Sequence, residues 1–242
     1  MRSIETVDAL GTILSVWAHP DDETYLAAGV MADAAHRGQR VVCVTATRGE
    51  KGSLDEERWP LDTLGSVRQA ELERCMAILG IDDHRWLDYV DGELESVDTA
   101  EGVGRVVELL DEVRPDTVLT FGPEGMTDHP DHKRISAWVG DAFASRAKPG
   151  ARLYHATTTP EWAARFVPRM SRFNVYYSPD TPPVTPREEL GLCLDLPPDL
   201  RELKLRAIEA HESQVDGMLK AFGEDFFREA FLEETYRLAA EA

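Results

Sequence analysis

Two histidine-containing motifs, each following an apolar run, constrain this chain most strongly. Residues 13–18 are apolar and lead into His19-Pro20-Asp21-Asp22-Glu23, and residues 116–121 precede His129-Pro130-Asp131-His132. Short apolar runs of this kind predict buried strands. Open α/β folds place their sites outside the carboxyl ends of parallel strands. The sequence therefore predicts that both motifs meet at one edge of a parallel sheet.

Alternating strand and helix patterns predict the fold class. Strands are expected at 13–18, 40–47, 84–89 and 116–121, and helices at 23–37, 66–79, 100–113 and from about 131. This order is typical of an α/β, Rossmann-like, mostly parallel sheet with helices on both faces. Neither a Gly-x-Gly-x-x-Gly nor a Walker motif follows the first strand, which disfavours nucleotide binding.

The second half of the chain is less regular. We expect one domain over 1–242, with a core at about 12–146 and an extension at about 147–242. In the extension, strands are predicted at 152–159 and 173–177 and an edge strand at 190–196. Helices are predicted at 160–170 and 199–222, and the proline-rich residues 178–186 form a loop.

Composition limits the class of partner. The net charge of -19 disfavours nucleic acid and anionic membranes, which bind clustered lysine and arginine, and favours a small-molecule substrate. Three scattered cysteines lack disulfide or metal-binding spacing, and no signal peptide is recognisable. We therefore expect a cytoplasmic protein without membrane insertion.

The two motifs contain the ligands of a catalytic metal site. His19 and Asp22 lie three residues apart where a loop enters a helix, and His132 comes from the other motif. Two imidazoles and one carboxylate leave positions free for water and substrate, as in catalytic zinc sites. Such an ion lowers the pKa of bound water and polarises a carbonyl group, so the pattern predicts a hydrolase.

The remaining polar residues of the motifs have predicted catalytic roles. Asp21 is expected to take a proton from the attacking water. His129 is expected to stabilise the oxyanion and to protonate the leaving amine, with Asp131 holding His129 in orientation.

These motifs resemble the LmbE-like/PIG-L family of zinc-dependent deacetylases. The resemblance extends to Thr47-x-Gly49-Glu50-x-Gly52, Arg68-x-x-Glu71 and Lys204-x-x-Ala207-Ile208-x-x-His211-x-Ser213-Gln214, over roughly residues 12–215. In the mycothiol branch a tyrosine stands at the position of Thr127, and many members have glycine at Asp128.

The resemblance implies a Rossmann-like fold and removal of an N-acetyl group from an N-acetylglucosamine-type conjugate. It implies His19, Asp22 and His132 as Zn²⁺ ligands, with other divalent ions such as Fe²⁺ as alternatives. Further implied roles are Asp21 as general base, His129 as electrostatic and acid partner, and substrate contacts from Arg68, Glu50 and His211. Relatives are often multimeric, so the resemblance also implies a homo-oligomer.

Simpler interpretations remain open for several residues. Asp21 or Asp22 would cap the first helix, and His129 would be a third metal ligand or a packing residue. Arg68 would pair with Glu71 on a helix surface, and His211 would be a buried structural histidine. For the whole chain, the alternatives are an amidase acting on a related glycosidic or thiol S-conjugate, a redox iron protein, and a non-catalytic metal-dependent sugar-binding domain.

Overall fold

The computed structural model describes residues 7–173, 175–178 and 181–242. Its strands are β1 Ile13–Trp17, β2 Val41–Thr45, β3 Asp83–Trp86, β4 Thr117–Phe121, β5 Arg152–Thr157, β6 Leu192–Asp195 and β7 Glu233–Glu241. Its α-helices are α1 Asp22–His36, α2 Leu61–Leu79, α3 Thr99–Val113, α4 Gly125–Asp128, α5 Pro130–Arg146, α6 Pro160–Met170, α7 Pro198–Glu209, α8 Glu212–Phe222 and α9 Glu224–Ala230.

The described strands form one sheet in the order β3-β2-β1-β4-β5-β7-β6. The first five strands in this order are parallel, β7 is antiparallel to β5, and β6 is antiparallel to β7. The predicted mostly parallel α/β sheet is confirmed. Chain order reverses between β1 and β4, which is the switch point where open α/β sheets bind ligands.

The central strands are buried on both faces. Every residue of β1, β2 and β4 is buried, as their apolar sequences predict for strands covered by helices on two sides. Right-handed crossovers that run in opposite directions from the switch point place α1 and α2 on one face and α3 and α5 on the other. The hydrophobic core therefore holds the ends of β1 and β4 in fixed positions.

The C-terminal part differs from the prediction in three places. The helix expected at 199–222 is interrupted at Ala210 and His211, so that α7 and α8 are separate. The prediction of a short strand at 173–177 is wrong, because residues 175–177 do not belong to a strand. Position 174 is not among the described residues. Helix α9 and strand β7 were not predicted, although β7 joins β5 to the correctly predicted edge strand β6.

Two boundaries of elements in the first half of the chain also differ from the prediction. Helix α2 begins at Leu61 and not at Ser66, because Pro60 provides the helix start and Gly65 is tolerated within the first turns. Strand β3 ends at Trp86, three residues before the predicted end.

The single domain over 1–242 stays a prediction. Among the described residues, no helix is long and apolar enough to cross a membrane.

Candidate metal centre and active site

The two histidine motifs meet at the switch point of the sheet. His19 follows the end of β1, and Asp22 begins α1. His132 lies in the first turn of α5, after the loop that follows β4. Because β1 and β4 pair in parallel, with Ser15 opposite Leu119, their carboxyl ends bring the two loops together. The predicted convergence of the two motifs is therefore present in the structure.

Donor atoms of three residues lie at mutual distances close to those that a tetrahedral ion requires. His19 Nδ1 is 3.1 Å from His132 Nε2, and His132 Nε2 is 3.3 Å from Asp22 Oδ1. His19 Nδ1 is 3.7 Å from Asp22 Oδ2. Zinc bonds of about 2.0–2.1 Å in a tetrahedral site separate neighbouring donors by about 3.3 Å. The donor set therefore fits a single small divalent ion.

The other nitrogen of each imidazole is held by the protein. His132 Nδ1 lies 2.9 Å from the carbonyl oxygen of Gly125, and the ring stacks on Phe121 with centroids 4.1 Å apart. His19 Nε2 lies 3.1 Å from Asp91 Oδ1 and 3.3 Å from Asp131 Oδ2. Metal-binding histidines usually donate their second N–H to a carbonyl or carboxylate group in this way. These contacts leave His19 Nδ1 and His132 Nε2 to bind an ion.

A tight turn presents the Gly125 carbonyl group to His132. Gly125 has φ +67°, and a Cβ atom there would lie 3.2 Å from the main-chain nitrogen of Lys133 and 3.2 Å from His132 Cβ. Any larger residue would push α5 away. Asp128, where many family members have glycine, has φ 70°, a left-handed conformation that aspartate tolerates. The backbone of this loop is therefore shaped by the contact with His132.

Asp21 lies beside the three donor atoms but is oriented differently. Its φ of 101° is unusual for a residue with a side chain, and its main-chain N–H donates to Glu23 Oε2 at 3.1 Å. Asp21 Oδ2 lies 3.5 Å from Arg68 Nη2, and the side chain is 20% exposed. Strained backbone of this kind occurs often at functional sites. Asp21 also caps α1, since its carbonyl oxygen accepts from Thr24 and Tyr25.

His129 lies against both candidate metal-binding histidines. Its ring centroid is 4.8 Å from that of His19 and 5.0 Å from that of His132. His129 Nδ1 accepts the main-chain N–H of Asp131 at 3.2 Å, so a neutral ring carries its proton on Nε2. Burial and the two neighbouring imidazoles lower the pKa of His129 to about 4.

Asp131 makes different contacts from those predicted. Its carboxylate accepts from the main-chain N–H groups of Gly92 and Leu94 at 2.8 and 3.3 Å and lies beside His19 Nε2. The expected side-chain contact with His129 is replaced by the main-chain contact described above. The Asp131 carboxylate therefore orients His19, because α5 begins at Pro130 and turns this side chain toward β1.

The site concentrates buried negative charge. Burial raises the pKa of Asp21 to about 7 and the pKa of Asp22 to about 6. Burial opposes a charged His19, but hydrogen bonds to Asp131 and Asp91 outweigh it and raise the pKa of His19 to about 10. The surroundings of His19 thus favour positive charge at this position. A divalent cation among these carboxylates would offset their desolvation cost.

Asp91 is a site residue that the sequence analysis missed. In the sequence, Asp91-Gly92 indicates only a turn, yet the Asp91 side chain is 9% exposed and lies against His19. It also accepts the main-chain N–H of Lys51 at 2.8 Å. The only available signal was its position after β3, whose carboxyl end lies at the same edge of the sheet as that of β1.

We predict that Asp91→Asn weakens metal binding about 10- to 100-fold without unfolding the protein. The amide keeps the size of the carboxylate but removes the negative charge that orients His19 and strengthens its donor nitrogen. Titration against a chromogenic chelator measures the affinity. Asp88→Asn is the matched control, since Asp88 is 64% exposed and pairs with Arg48. Equal affinities for the two variants would contradict the assignment.

The side chain of Arg68, which belongs to α2, packs into the loop that follows β2. It is 4% exposed, donates from Nη1 to the carbonyl oxygen of Gly49 at 2.9 Å, and donates from Nη2 to that of Pro20. A Cβ atom on Gly49 would overlap the guanidinium group, so this glycine allows the close approach. Arg68 therefore ties the Gly49 loop to the Asp21 loop, and its direct contact with substrate stays a prediction.

Glu50 is half-buried and His211 is buried, and both contact other residues of the site. Glu50 Oε1 accepts the main-chain N–H of Asp91 at 2.9 Å, which holds the Asp91 turn in place. His211 is 1% exposed, and its Nε2 lies 3.2 Å from Glu23 Oε1 and 3.1 Å from Thr24 Oγ1. Substrate contacts of Glu50 and His211 stay predictions, and the observed contacts fit a supporting role.

We predict that His211→Ala lowers the free energy of unfolding by about 2–4 kcal/mol. The substitution removes a partner of the fully buried Glu23 carboxylate. A buried carboxylate that loses a hydrogen-bonding partner destabilises the folded state. Urea unfolding measures the change. His36→Ala is the control because His36 is exposed, and it should change the free energy by less than about 0.5 kcal/mol. A similarly small change for His211→Ala would show that its contacts do not support the fold.

A family model and curated relatives match this chain. The model described as PIG-L, GlcNAc-PI de-N-acetylase, matches residues 14–143. A 1D-myo-inositol 2-acetamido-2-deoxy-alpha-D-glucopyranoside deacetylase from Saccharomonospora viridis is 30% identical over 230 residues, covering 84% of this chain and 85% of the relative. The matched family region contains both histidine motifs.

Solved structures show the same fold. N,N'-diacetylchitobiose deacetylase from Pyrococcus horikoshii has a TM-score of 0.69 at 23% identity, covering 96% of this chain and 85% of that chain. The zinc-inhibited form of a teicoplanin deacetylase has a TM-score of 0.69 at 16% identity, covering 96% and 98%. Since the family model matches more than half of the residues and the Saccharomonospora relative matches most of both chains, this chain belongs to the PIG-L, or GlcNAc-PI de-N-acetylase, family.

Proposed function

We propose that this protein is a metal-dependent hydrolase that removes the N-acetyl group from an N-acetylglucosamine-type conjugate and releases acetate and a free amine. The observation that supports this most strongly is the set of donor atoms of His19, Asp22 and His132, at 3.1–3.7 Å from one another, with Asp21 and His129 beside them. The named activities of the relatives agree with this reaction.

The metal ligands in this proposal are His19 Nδ1, Asp22 and His132 Nε2. Zinc is favoured because two imidazoles and one carboxylate are a common donor set of catalytic zinc, with Fe²⁺ as an alternative ion. A divalent ion held there would supply Lewis acidity, which activates water and polarises the amide carbonyl group. Asp91 and Asp131 hold His19 in the required orientation.

Asp21 acts as the general base in this proposal. Its carboxylate takes a proton from the attacking water as the water oxygen bonds to the acyl carbon. Arg68 holds the Asp21 side chain, and the bond from the Asp21 N–H to Glu23 holds its backbone. These contacts restrict the movement of Asp21, so that its carboxylate stays in the position in which it acts as the base.

His129 acts on the other part of the amide. Because its Nδ1 accepts a main-chain N–H, the neutral ring carries its proton on Nε2, which can hydrogen-bond to the oxyanion that forms from the amide carbonyl group. The C–N bond then breaks, the acyl group leaves as a carboxylate, and the nitrogen leaves as an amine. Asp21 passes the proton that it took from the water to the leaving nitrogen, so the proton transfers of the hydrolysis balance.

Incubation of zinc-loaded protein with N-acetylglucosaminides, including the inositol conjugate named for the relatives, tests the reaction. We expect stoichiometric acetate and amine, and a loss of both after chelation. Cleavage of a glycosidic or thiol S-conjugate that carries a larger acyl group, with no cleavage of these N-acetyl compounds, would favour an amidase. Metal-dependent binding without hydrolysis would favour a sugar-binding domain and overturn the proposed reaction.

We propose a small-molecule amino sugar conjugate as the partner of this site. The three cysteines are free, which agrees with the predicted reducing, cytoplasmic environment.

Homo-oligomer formation stays a prediction, and size-exclusion chromatography with light scattering tests it.

A further inference from the structure

An apolar pocket adjoins the candidate metal centre. It has a volume of about 150 Å³, and its lining includes Asp22 and His132 together with many aromatic and aliphatic side chains. The aromatic ones that matter here are Tyr25, Trp162, Phe222, Phe226 and Phe231. The pocket is therefore continuous with two of the proposed metal ligands.

The walls of the pocket belong to the C-terminal elements and are well packed. Phe222 and Phe226 stack with centroids 4.5 Å apart, and Trp162 Nε1 donates to the carbonyl oxygen of Ala230 at 2.6 Å. Tyr25 contacts Phe231 with centroids 5.3 Å apart. Such contacts fix the rings in place, so the pocket is formed before a ligand binds.

The two sides of the metal centre differ in polarity. Asp21, Arg68 and His129 are absent from the described lining of the pocket, and with Asp91 they supply the polar side chains around the metal centre, here called its polar side. Sugar hydroxyl groups suit the polar side, since charged and polar groups are available there. Asp21, which passes the proton to the leaving nitrogen in the proposed reaction, lies on that side too. The amide group connects a sugar to an acyl group, so the acyl group points into the apolar pocket.

We propose that this pocket binds the acyl chain of the substrate, and that the protein prefers an N-acyl group of about six carbons to an acetyl group. This inference rests on the proposed function, since it requires an amide to be cleaved at the metal centre. An apolar cavity of about 150 Å³ is large enough for benzene, whereas the methyl group of acetate would fill a small part of it. The reaction consumes water, breaks the same C–N bond and releases a medium-chain carboxylate and the amine.

Chain-length dependence of hydrolysis tests this proposal. Methyl glucosaminides carrying N-acetyl, N-butanoyl, N-hexanoyl and N-octanoyl groups are incubated with the zinc-loaded protein, and amine release is measured. Each buried methylene should raise kcat/KM about fourfold, so the four additional methylenes of hexanoyl should raise it over acetyl by up to about 250-fold. If acetyl is cleaved as well as or better than hexanoyl, the acyl-chain proposal is wrong, while the proposed deacetylation stands. Hydrolysis of none of these amides overturns both.

Binding provides a readout that does not depend on turnover. Calorimetric titration with hexanoate and with acetate, the two products, should give at least tenfold tighter binding of hexanoate to the zinc-loaded protein. Equal affinities would contradict an acyl pocket even if hydrolysis rates differ.

A substitution within the pocket tests its location. Met218 lines the pocket from α8, so Met218→Trp should fill part of it and lower the ratio of kcat/KM for the hexanoyl substrate to that for the acetyl substrate about tenfold. Lys220→Trp is the control on the same helix, because the Lys220 side chain is 71% exposed. An equal loss on both substrates in Met218→Trp, or the same selective loss in Lys220→Trp, would contradict the assignment.

Discussion

Asp21→Asn should lower kcat about a thousandfold and leave the metal content unchanged. Asparagine keeps the size of the side chain and tolerates the φ of 101°, but an amide cannot accept a proton from water. Loss of a general base typically costs 10²- to 10⁴-fold in rate. Steady-state kinetics and elemental analysis of the same sample measure the two quantities.

Asp62→Asn is the matched control for this variant. Asp62 lies exposed in the first turn of α2, at a helix start like Asp21, and its substitution should change kcat less than twofold. Turnover by Asp21→Asn at the parent rate would show that Asp21 caps α1 and is not the base. A joint loss of metal and activity would indicate a structural role at the ion.

His132→Ala should weaken metal binding more than about 100-fold and reduce turnover in proportion. The substitution removes one of three protein donors, a larger loss than the 10- to 100-fold typical of residues that only orient a ligand. Metal content after dialysis and the rate of amine release measure the effect. Added zinc should restore activity only at high concentration.

His36→Ala is the control for the loss of a histidine. His36 is exposed at the end of α1, so this variant should retain stoichiometric metal and parent activity. If His132→Ala also retained one ion per chain, the proposed donor set would be wrong.

The convergence of the proposed metal donors was predictable because their positions depend on general rules of α/β folds. His19 and His132 each follow a strongly apolar run. The segments that follow parallel strands lie at one edge of the sheet. The family model and the relatives confirm the resemblance that these motifs suggested. The distances between Nδ1 and Nε2 required the structure, because they depend on the turn at Gly125 and on ring orientation.

Asp91 was unpredictable for a different reason. An Asp-Gly pair indicates a turn wherever it occurs. Its place against His19 follows from the pairing of β3 with β2 and from the bonds that Glu50 and Lys51 make to the turn. None of these long-range contacts leaves a local pattern in the sequence.

The C-terminal errors have a common cause in tertiary contacts. Residues 199–222 have a continuous helical pattern, but His211 contacts Glu23, and Ser213 donates from its main chain and hydroxyl group to Glu71 at 2.7 Å. These contacts interrupt the helix between α7 and α8. Strand β7 contains alanine and glutamate, which are weak strand formers, and forms because β5 and β6 flank it.

The central claim is that one divalent ion joins the loop after β1 to the start of α5. Anomalous scattering at the zinc edge, from crystals grown with one equivalent of zinc, tests it most directly. We expect one dominant peak within about 2.0–2.2 Å of His19 Nδ1, an Asp22 oxygen and His132 Nε2. A dominant peak elsewhere, such as among Cys193, Asp195 and Glu233, with none between His19 and His132, would contradict it.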